Sequence, residues 1–267
     1  MPLRSRNVYF KILYIIFNNP FTNWVLVLLN IDDLPKELLN HNDWKKRTYN
    51  EEMSLLENAG YSEIPEIQKL VDTSKAKLIE FVKKNIDEQK AILDIGFGTG
   101  LFLKEIEQYR FYLYGIDMNR QFVTRSEGYL PKAHLFLGNY LQFKAPKKFK
   151  LIFSISMLMY LEPSRIKKFF NKLYDDLDPN GYVFIQYPHA LSFKDLLYPD
   201  ITYVRYSPKQ LERFVRGKFN VIKSEHFYDG RKIGWFDNNH YYFPNSKIRT
   251  DTVENTSILV LQKKPTD

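Results

Sequence analysis

The stretch ILDIGFGTGLFL (residues 92–103) places one carboxylate, Asp94, two positions ahead of three alternating glycines, Gly96, Gly98 and Gly100. Glycine turns the chain through backbone angles that other residues avoid, and it lets a ligand approach without meeting a Cβ. An apolar run before the turn and another after it read as strand, turn and helix, the arrangement that binds nucleotides. By itself this fits any nucleotide-binding α/β protein. Dinucleotide folds, however, use G-x-G-x-x-G/A, and the glycines here alternate. A second acid, Asp117, ends the run FYLYGI (111–116). A carboxylate at the tip of a second strand can accept hydrogen bonds from both hydroxyls of a ribose. The same residue could also cap the helix that follows.

Two further segments extend the pattern. Gly138-Asn139-Tyr140 follows the run AHLFL (133–137), and FKLIFSISMLMYLEP (149–163) supplies Ser154, Ser156, Met157 and Tyr160 at or beyond the end of a fourth strand. LDPNGYVFIQ (177–186) then enters a fifth. Over roughly residues 75–187 the chain resembles the class I methyltransferase family, whose first motif is an acidic residue followed by G-x-G-x-G. The resemblance implies S-adenosyl-L-methionine as methyl donor and S-adenosylhomocysteine as product. That donor has no pyrophosphate, and its sulfonium and ammonium favour a nearby carboxylate. By the same resemblance Asp94 helps to hold the methionine moiety and Asp117 the ribose. Asn139 would meet the adenine, with Tyr140 covering the base. Gly96, Phe97, Gly98, Gly100, Met118 and Ser154 complete the expected donor site. The family commonly has Gly-Asp where this chain has Gly138-Asn139. Many relatives have Phe-Asp where it has Phe149-Lys150, but at the strand end away from the donor.

The elements that must position these residues follow from periodicity. A helix is expected around 74–85, with Ser74 as cap and Leu78, Phe81, Val82 and Ile86 on its apolar face. Strands are expected at 91–95, 111–116, 133–137, 150–156, 182–187, 219–227 and 257–263. Helices are expected at 100–109, 119–128, 163–177 and 207–216. Within 163–177, Ile166, Phe169, Phe170, Leu173 and Leu177 recur at helical spacing, and Asp178-Pro179-Asn180-Gly181 turns the chain into the next strand. Alternating strands and helices predict an α/β fold: a Rossmann-like doubly wound sheet of about seven strands, mostly parallel with an antiparallel last strand. Residues 1–73 read as an N-terminal helical extension or lid, and 74–267 as the donor-binding domain. The segments 188–206 and 228–255 are longer than ordinary connectors and read as substrate-shaping insertions.

The 267 residues contain no cysteine, which removes disulfides, cysteine-ligated zinc and thiolate nucleophiles together and suits a cytoplasmic location. The apolar runs 12–17 and 24–29 are each shorter than the roughly 18 residues of a spanning helix. They read as buried helices, with peripheral membrane contact through residues 1–30 as the alternative. A net charge of +8 permits nucleic acid as a partner. Yet Lys144, Lys147, Lys148 and Lys150 precede strand four, at the sheet end opposite the donor, and read as a solvated loop. No Asp/Asn-Pro-Pro-aromatic motif follows strand four, where this chain has SISM, and no nucleophilic cysteine exists, so neither chemistry of DNA-base methylation fits. No carboxylate set for a metal stands out; Asp175-Asp176 reads as the solvated end of a helix.

Methyl transfer from a sulfonium chiefly needs alignment and exclusion of water. A base is needed only where the acceptor must lose a proton. His189, directly after strand five, is the preferred base, with Tyr160 as second candidate. Tyr187, His226 and His240 are other residues of the expected pocket roof. The aromatic-polar run WFDNNHYYF (235–243) suits an aromatic or sugar-like acceptor, and Trp44 and Tyr49 belong to the expected lid. The leading expectation is a small-molecule substrate, with the acceptor atom and oligomeric state left open. An RNA methyltransferase, a non-catalytic donor-binding partner subunit and a nucleotide-dependent oxidoreductase are the alternatives.

Overall fold

An uninterrupted apolar run survives in a sheet only if both faces are covered, and β1 (Ala91–Ile95) is buried at every position. In this computed structural model the described residues are 48–59, 65–161, 163–188, 206, 208–229 and 255–265. They build one sheet from β1, β2 (Tyr112–Asp117), β3 (Ala133–Leu137), β4 (Phe149–Ile155), β5 (Leu177–Pro188), β6 (Phe219–Asp229) and β7 (Asn255–Lys263). The strand order is β3-β2-β1-β4-β5-β7-β6. β7 runs antiparallel to both of its neighbours, and the other pairings are parallel. The expected doubly wound sheet with an antiparallel last strand is therefore present. Strand order reverses between β1 and β4, so a crevice opens at their carboxyl ends, where open α/β sheets bind ligands.

The helices are α1 (Leu55–Asn58), α2 (Pro65–Asn85), α3 (Leu101–Ile106), α4 (Arg120–Tyr129), α5 (Ile166–Asp176) and α6 (Pro208–Val215). Alternation along the strands sends successive side chains to opposite faces. Leu93, Ile95, Ile152, Val183 and Ile185 pack with Phe169, Phe170 and Leu173 of α5 and Leu211 of α6. Ile92, Leu113, Leu151, Phe153 and Phe184 pack on the other face with Leu78 and Val82 of α2 and Leu103 of α3. The apolar stripe expected at Ile166, Phe169, Phe170, Leu173 and Leu177 is buried throughout.

Three local expectations need correction. The helix expected at 74–85 begins at Pro65, and Ser74 is no cap. It sits buried in mid-helix with its Oγ donating to the Leu70 carbonyl one turn back. The turn expected at Asp178–Gly181 lies inside β5 instead. Phe149 pairs with Leu177 and Leu151 with Tyr182, so the extra residues bulge out of register. Asn180 takes the left-handed angle there, φ 56°. Asp176 is buried rather than solvated, between the Tyr140 hydroxyl at 2.9 Å and Lys172 at 2.9 Å.

Among the described residues no helix is long and apolar enough to cross a membrane. The runs 12–17 and 24–29 lie outside the described residues, as do most of the two expected insertions. α2 is joined to β6 by an ion pair, Lys77 Nζ to Glu225 Oε1 at 2.7 Å, with both side chains more than a quarter exposed. Partial burial pulls the Glu225 carboxyl up, but Lys77 and Lys223 hold it below its ordinary value. Exposed pairs contribute about 0.2–1 kcal/mol. Glu225→Gln should therefore lower the urea unfolding free energy by no more than about 1 kcal/mol at pH 7, the difference fading as pH falls through the lowered pKa. A larger loss would show that α2 depends on this contact.

Candidate active site and methyl-donor cradle

The turn after β1 is built by three glycines at φ 75°, 55° and 74°, all in the left-handed region that side chains disfavour. The Gly96 N–H donates to the Ile116 carbonyl at 2.8 Å and ties the turn to β2. A Cβ on Gly96 would stand 2.7 Å from Met157 Cγ, so the turn closes directly against the chain leaving β4. Asp117, at the tip of β2, accepts the Gly98 N–H on Oδ2 and the Asn119 N–H on Oδ1, each at 2.8 Å. It does not cap α4. Asn119 does, with its Oδ1 accepting from the Gln121 and Phe122 N–H groups. Asp117 is thus a clamp between the glycine turn and the end of β2.

Asp94 is 2% exposed, and its Oδ1 has no hydrogen-bond partner. Burial holds its carboxyl well above the usual carboxylate range, and the nearby charge of Asp117 raises it further. Asp117 is raised by burial as well, although the N–H groups of Asn119, Gly98 and Met118 pull it down. Two buried acids on adjacent strands, one with an unmet oxygen, are costly to ionise unless a cation joins them. A ligand with sulfonium and ammonium charges beside a ribose diol meets that requirement. The glycine turn packs so closely on Met157 that a Cβ at Gly96 would collide with that side chain. The residues present fit S-adenosyl-L-methionine.

The other expected donor-site residues fall out differently. The Phe97 ring is buried against β2, where a Cβ on Gly115 would stand 2.7 Å from its Cδ1, so only its backbone belongs to the turn. Met118 is 38% exposed just beyond Asp117. Asn139 Oδ1 accepts the Leu141 N–H at 2.9 Å and caps the short turn Tyr140–Gln142. The expectation that Tyr140 covers a base is corrected. Its ring packs edge-on against Phe169, and its hydroxyl donates to Asp176. Asp176 precedes Leu177, which pairs with the first residue of β4, so this tyrosine runs away from the ligand edge. Ser154 is buried, and its Oγ donates to the Ile95 carbonyl at 3.0 Å, joining β4 to β1 beneath the crevice.

Of the expected catalytic residues, Tyr160 lies half-buried on the short turn Leu158–Tyr160 that follows β4. His189 and His240 lie outside the described residues, as does the side chain of His226. Tyr187 is a core residue on the α5–α6 face rather than part of a roof. Residues 48–59 lie along the ligand edge. The Leu55 carbonyl accepts from Thr99 Oγ1 at 3.2 Å, and Tyr49 packs edge-on against Phe122 with Arg125 over its ring. Ser156, expected beyond the fourth strand, sits in the left-handed region at φ 57°. One residue was overlooked in the sequence: Gln186 is 2% exposed with Oε1 unpartnered. The signal for Gln186 was present: it is the amide in an otherwise apolar strand, YVFIQY.

A mostly parallel sheet whose β1 and β2 carry a buried acid at or next to their carboxyl ends, with a glycine turn clamped between them at the switch point, is the architecture of a Rossmann-like methyltransferase. A family model described as a methyltransferase domain matches residues 67–247. Among curated proteins no relative matches by sequence. Solved structures share the fold. The N-methyltransferase NodS from Bradyrhizobium japonicum, in complex with S-adenosyl-L-homocysteine, superposes with a TM-score of 0.60 at 11% identity, covering 84% of this chain and 98% of that one. A S-adenosylmethionine-dependent methyltransferase from Clostridium acetobutylicum gives 0.52 at 14%, covering 72% and 91%. The [4+2]-cyclase SpnF gives 0.53 at 14%, covering 71% and 81%. The chain belongs to the methyltransferase-domain family. It is an enzyme, and its methyl donor is S-adenosyl-L-methionine.

Proposed function

We propose that this enzyme methylates a small molecule, on the observation that a lysine-lined cleft among the described residues lies at the wrong end of the sheet to guide a nucleic acid. That cleft, of about 380 Å³, is lined by Lys144, Lys147, Lys148 and Lys172. Lys147 stands over the Tyr112 ring at the start of β2, and Lys150 is the second residue of β4. These charges sit at the strands' N-terminal edge, across the sheet from Asp94 and Asp117. A nucleic-acid track would have to deliver its base to the other edge. The lysines have local work instead: Lys148 and Lys150 donate to the carbonyls of Asp175 and Asn180.

The proposed roles are as follows. Asp117 takes the ribose hydroxyls, and Asp94 meets the positive charge of the methionine end. Residues 48–59, pinned to Thr99, shield that edge from water as a lid. Tyr160, and His189 from the segment after β5, are the candidates to receive a proton from the acceptor. The bound donor supplies an electrophilic methyl, displaced in line by the acceptor's lone pair. A cytoplasmic setting goes with a cysteine-free chain. Incubating purified protein with labelled S-adenosylmethionine and either a fractionated metabolite extract or total RNA tests the reading. Label should enter small molecules, and label only in RNA would overturn it.

The raised acids make a pH prediction. A cationic ligand stabilises their ionised forms, which burial disfavours in the ligand-free protein, so binding should be coupled to proton release. Affinity for S-adenosylmethionine should fall on acidification, starting above the usual carboxylate range. Calorimetry in buffers of different ionisation enthalpy reads this directly, and affinity that stays flat from pH 8 to 5 would refute it. In the ligand-free protein the same groups act in the opposite sense. Their contribution to stability is complete below the unfolded carboxyl pKa, about 3.9, and is lost as pH rises through the raised values.

A further inference from the structure

Gln186 takes no part in the donor site, yet its geometry belongs to the same ligand edge. It lies two residues beyond Phe184 on β5, and Phe184 shares a core layer with Ile92, Phe153 and Ile155. Side chains alternate along a strand, so Gln186 points to the same sheet face as Asp94, which lies two residues beyond Ile92. Ile155 of β4 pairs with Gln186 and stands between the two polar residues as an apolar floor. Along this face the edge reads Asp117, Asp94, Ile155, Gln186. Asp94 is level with Phe153 and Phe184, so Gln186 lies two strands over and two residues further along, about 12 Å from Asp94 at about 4.8 Å between strands and about 3.3 Å per residue, on the far side of β4 from Asp117.

Gln186 Oε1 and Asp94 Oδ1 are two of three buried side-chain atoms with no hydrogen-bond partner among the described residues. An unpaired buried acceptor is destabilising, and at a ligand-binding edge a bound molecule can supply the missing donor. A second observation marks the same spot. The Ser156 N–H donates to the Gln186 carbonyl at 2.9 Å, and Ser156 holds its left-handed angle there. Strained residues of this kind gather where a chain is held for binding.

We infer that Gln186 is the acceptor-reading residue: its Oε1 accepts a hydrogen bond from an N–H or O–H of the small molecule being methylated, over the floor of Ile155. This rests on the small-molecule reading above. An amide is no base, so Gln186 takes no proton. It fixes one hydrogen of the nucleophilic group and so turns that group's lone pair toward Asp94 and the donor. The new bond forms from that lone pair to the methyl carbon, the carbon–sulfur pair stays on sulfur, and the proton leaves to another group or to water.

The test uses the full chain and Gln186→Met, which keeps the volume and removes the acceptor. Three readings decide it. The ligand-free melting temperature should rise by about 2–4 °C, because an unpaired buried acceptor is gone. The affinity for S-adenosylhomocysteine should stay within twofold. On the acceptor returned by the metabolite screen, KM should rise at least tenfold with kcat within threefold. A lower melting temperature would mean that the oxygen has a structural partner, and a tenfold loss of S-adenosylhomocysteine affinity would make Gln186 a donor ligand. Either outcome overturns the inference. Failure of the unaltered protein to methylate any small molecule would sink the broader reading, whereas the first two measurements address Gln186 whichever acceptor is used.

Discussion

Asp117→Ala should weaken S-adenosylhomocysteine binding by about 100-fold or more, measured by calorimetry at pH 7.5. The loss has two sources. The carboxylate is the group proposed to take the ribose hydroxyls, and hydrogen bonds to a charged group contribute about 1.5–3 kcal/mol each, where 1.4 kcal/mol is tenfold in affinity. It also clamps the turn, because the Gly98 and Asn119 N–H groups both end on it. Without the clamp those donors lose their partner, and three left-handed glycines are freed to sample other conformations. Asp117→Asn retains an acceptor for one of the two N–H groups and should fall between. The variant carries a further signature, since the Asp117 charge helps to raise the Asp94 carboxyl. Residual binding in Asp117→Ala should therefore lose its pH dependence at a lower pH than in the parent. Unchanged affinity in a folded Asp117→Ala protein would remove Asp117 from the site.

The largest effect on stability is expected at Phe153. Its side chain is fully buried, on the strand that separates β1 from β5. In register it stands opposite Asp94 on one side and Phe184 on the other. Phe153→Ala removes a ring from the layer shared with α2 and α3, and such truncations cost about 3–5 kcal/mol. Whole domains are commonly stable by about 5–15 kcal/mol, so the variant should show a much reduced urea midpoint. Phe153→Leu, which leaves a smaller void, should lose far less. If the two variants unfolded at the same midpoint, the layer would be repacking freely around the gap.

The strands were legible because burial on both faces imposes a pattern that few alternatives share. β1 and β3 fall where the apolar runs predict them, and β7, antiparallel and internal, takes the run SILVLQK. α5 was equally clear, since every expected apolar position is buried. What failed was punctuation. Ser74 has the chemistry of a cap, but its hydroxyl bonds back to Leu70 inside a helix whose stripe already includes Leu70 and Val71. The turn after β1 was readable because the spacing of its glycines and of the acids beside them carries its geometry. Tyr140 was misjudged because residue type says nothing of which way a ring turns. The short turn capped by Asn139 sends it onto Phe169. Gln186 went unnoticed because one amide in a strand is unremarkable until its oxygen is found buried and unpartnered.

The position of β7 between β5 and β6 governs how the molecule can be made. β6 emerges from the ribosome before β7, yet its place in the sheet does not exist until β7 has slotted in beside β5. Among the described strands, the β5 edge is open until that moment, and β6 has no neighbour already synthesised. Both offer unpaired backbone to any passing strand. The first half of the sheet, β1 through β4, can assemble during translation, but the closing half must wait for β7. Newly made chains should therefore depend on chaperones most during that final interval, and a nonsense codon before residue 255 should yield insoluble product rather than a smaller enzyme.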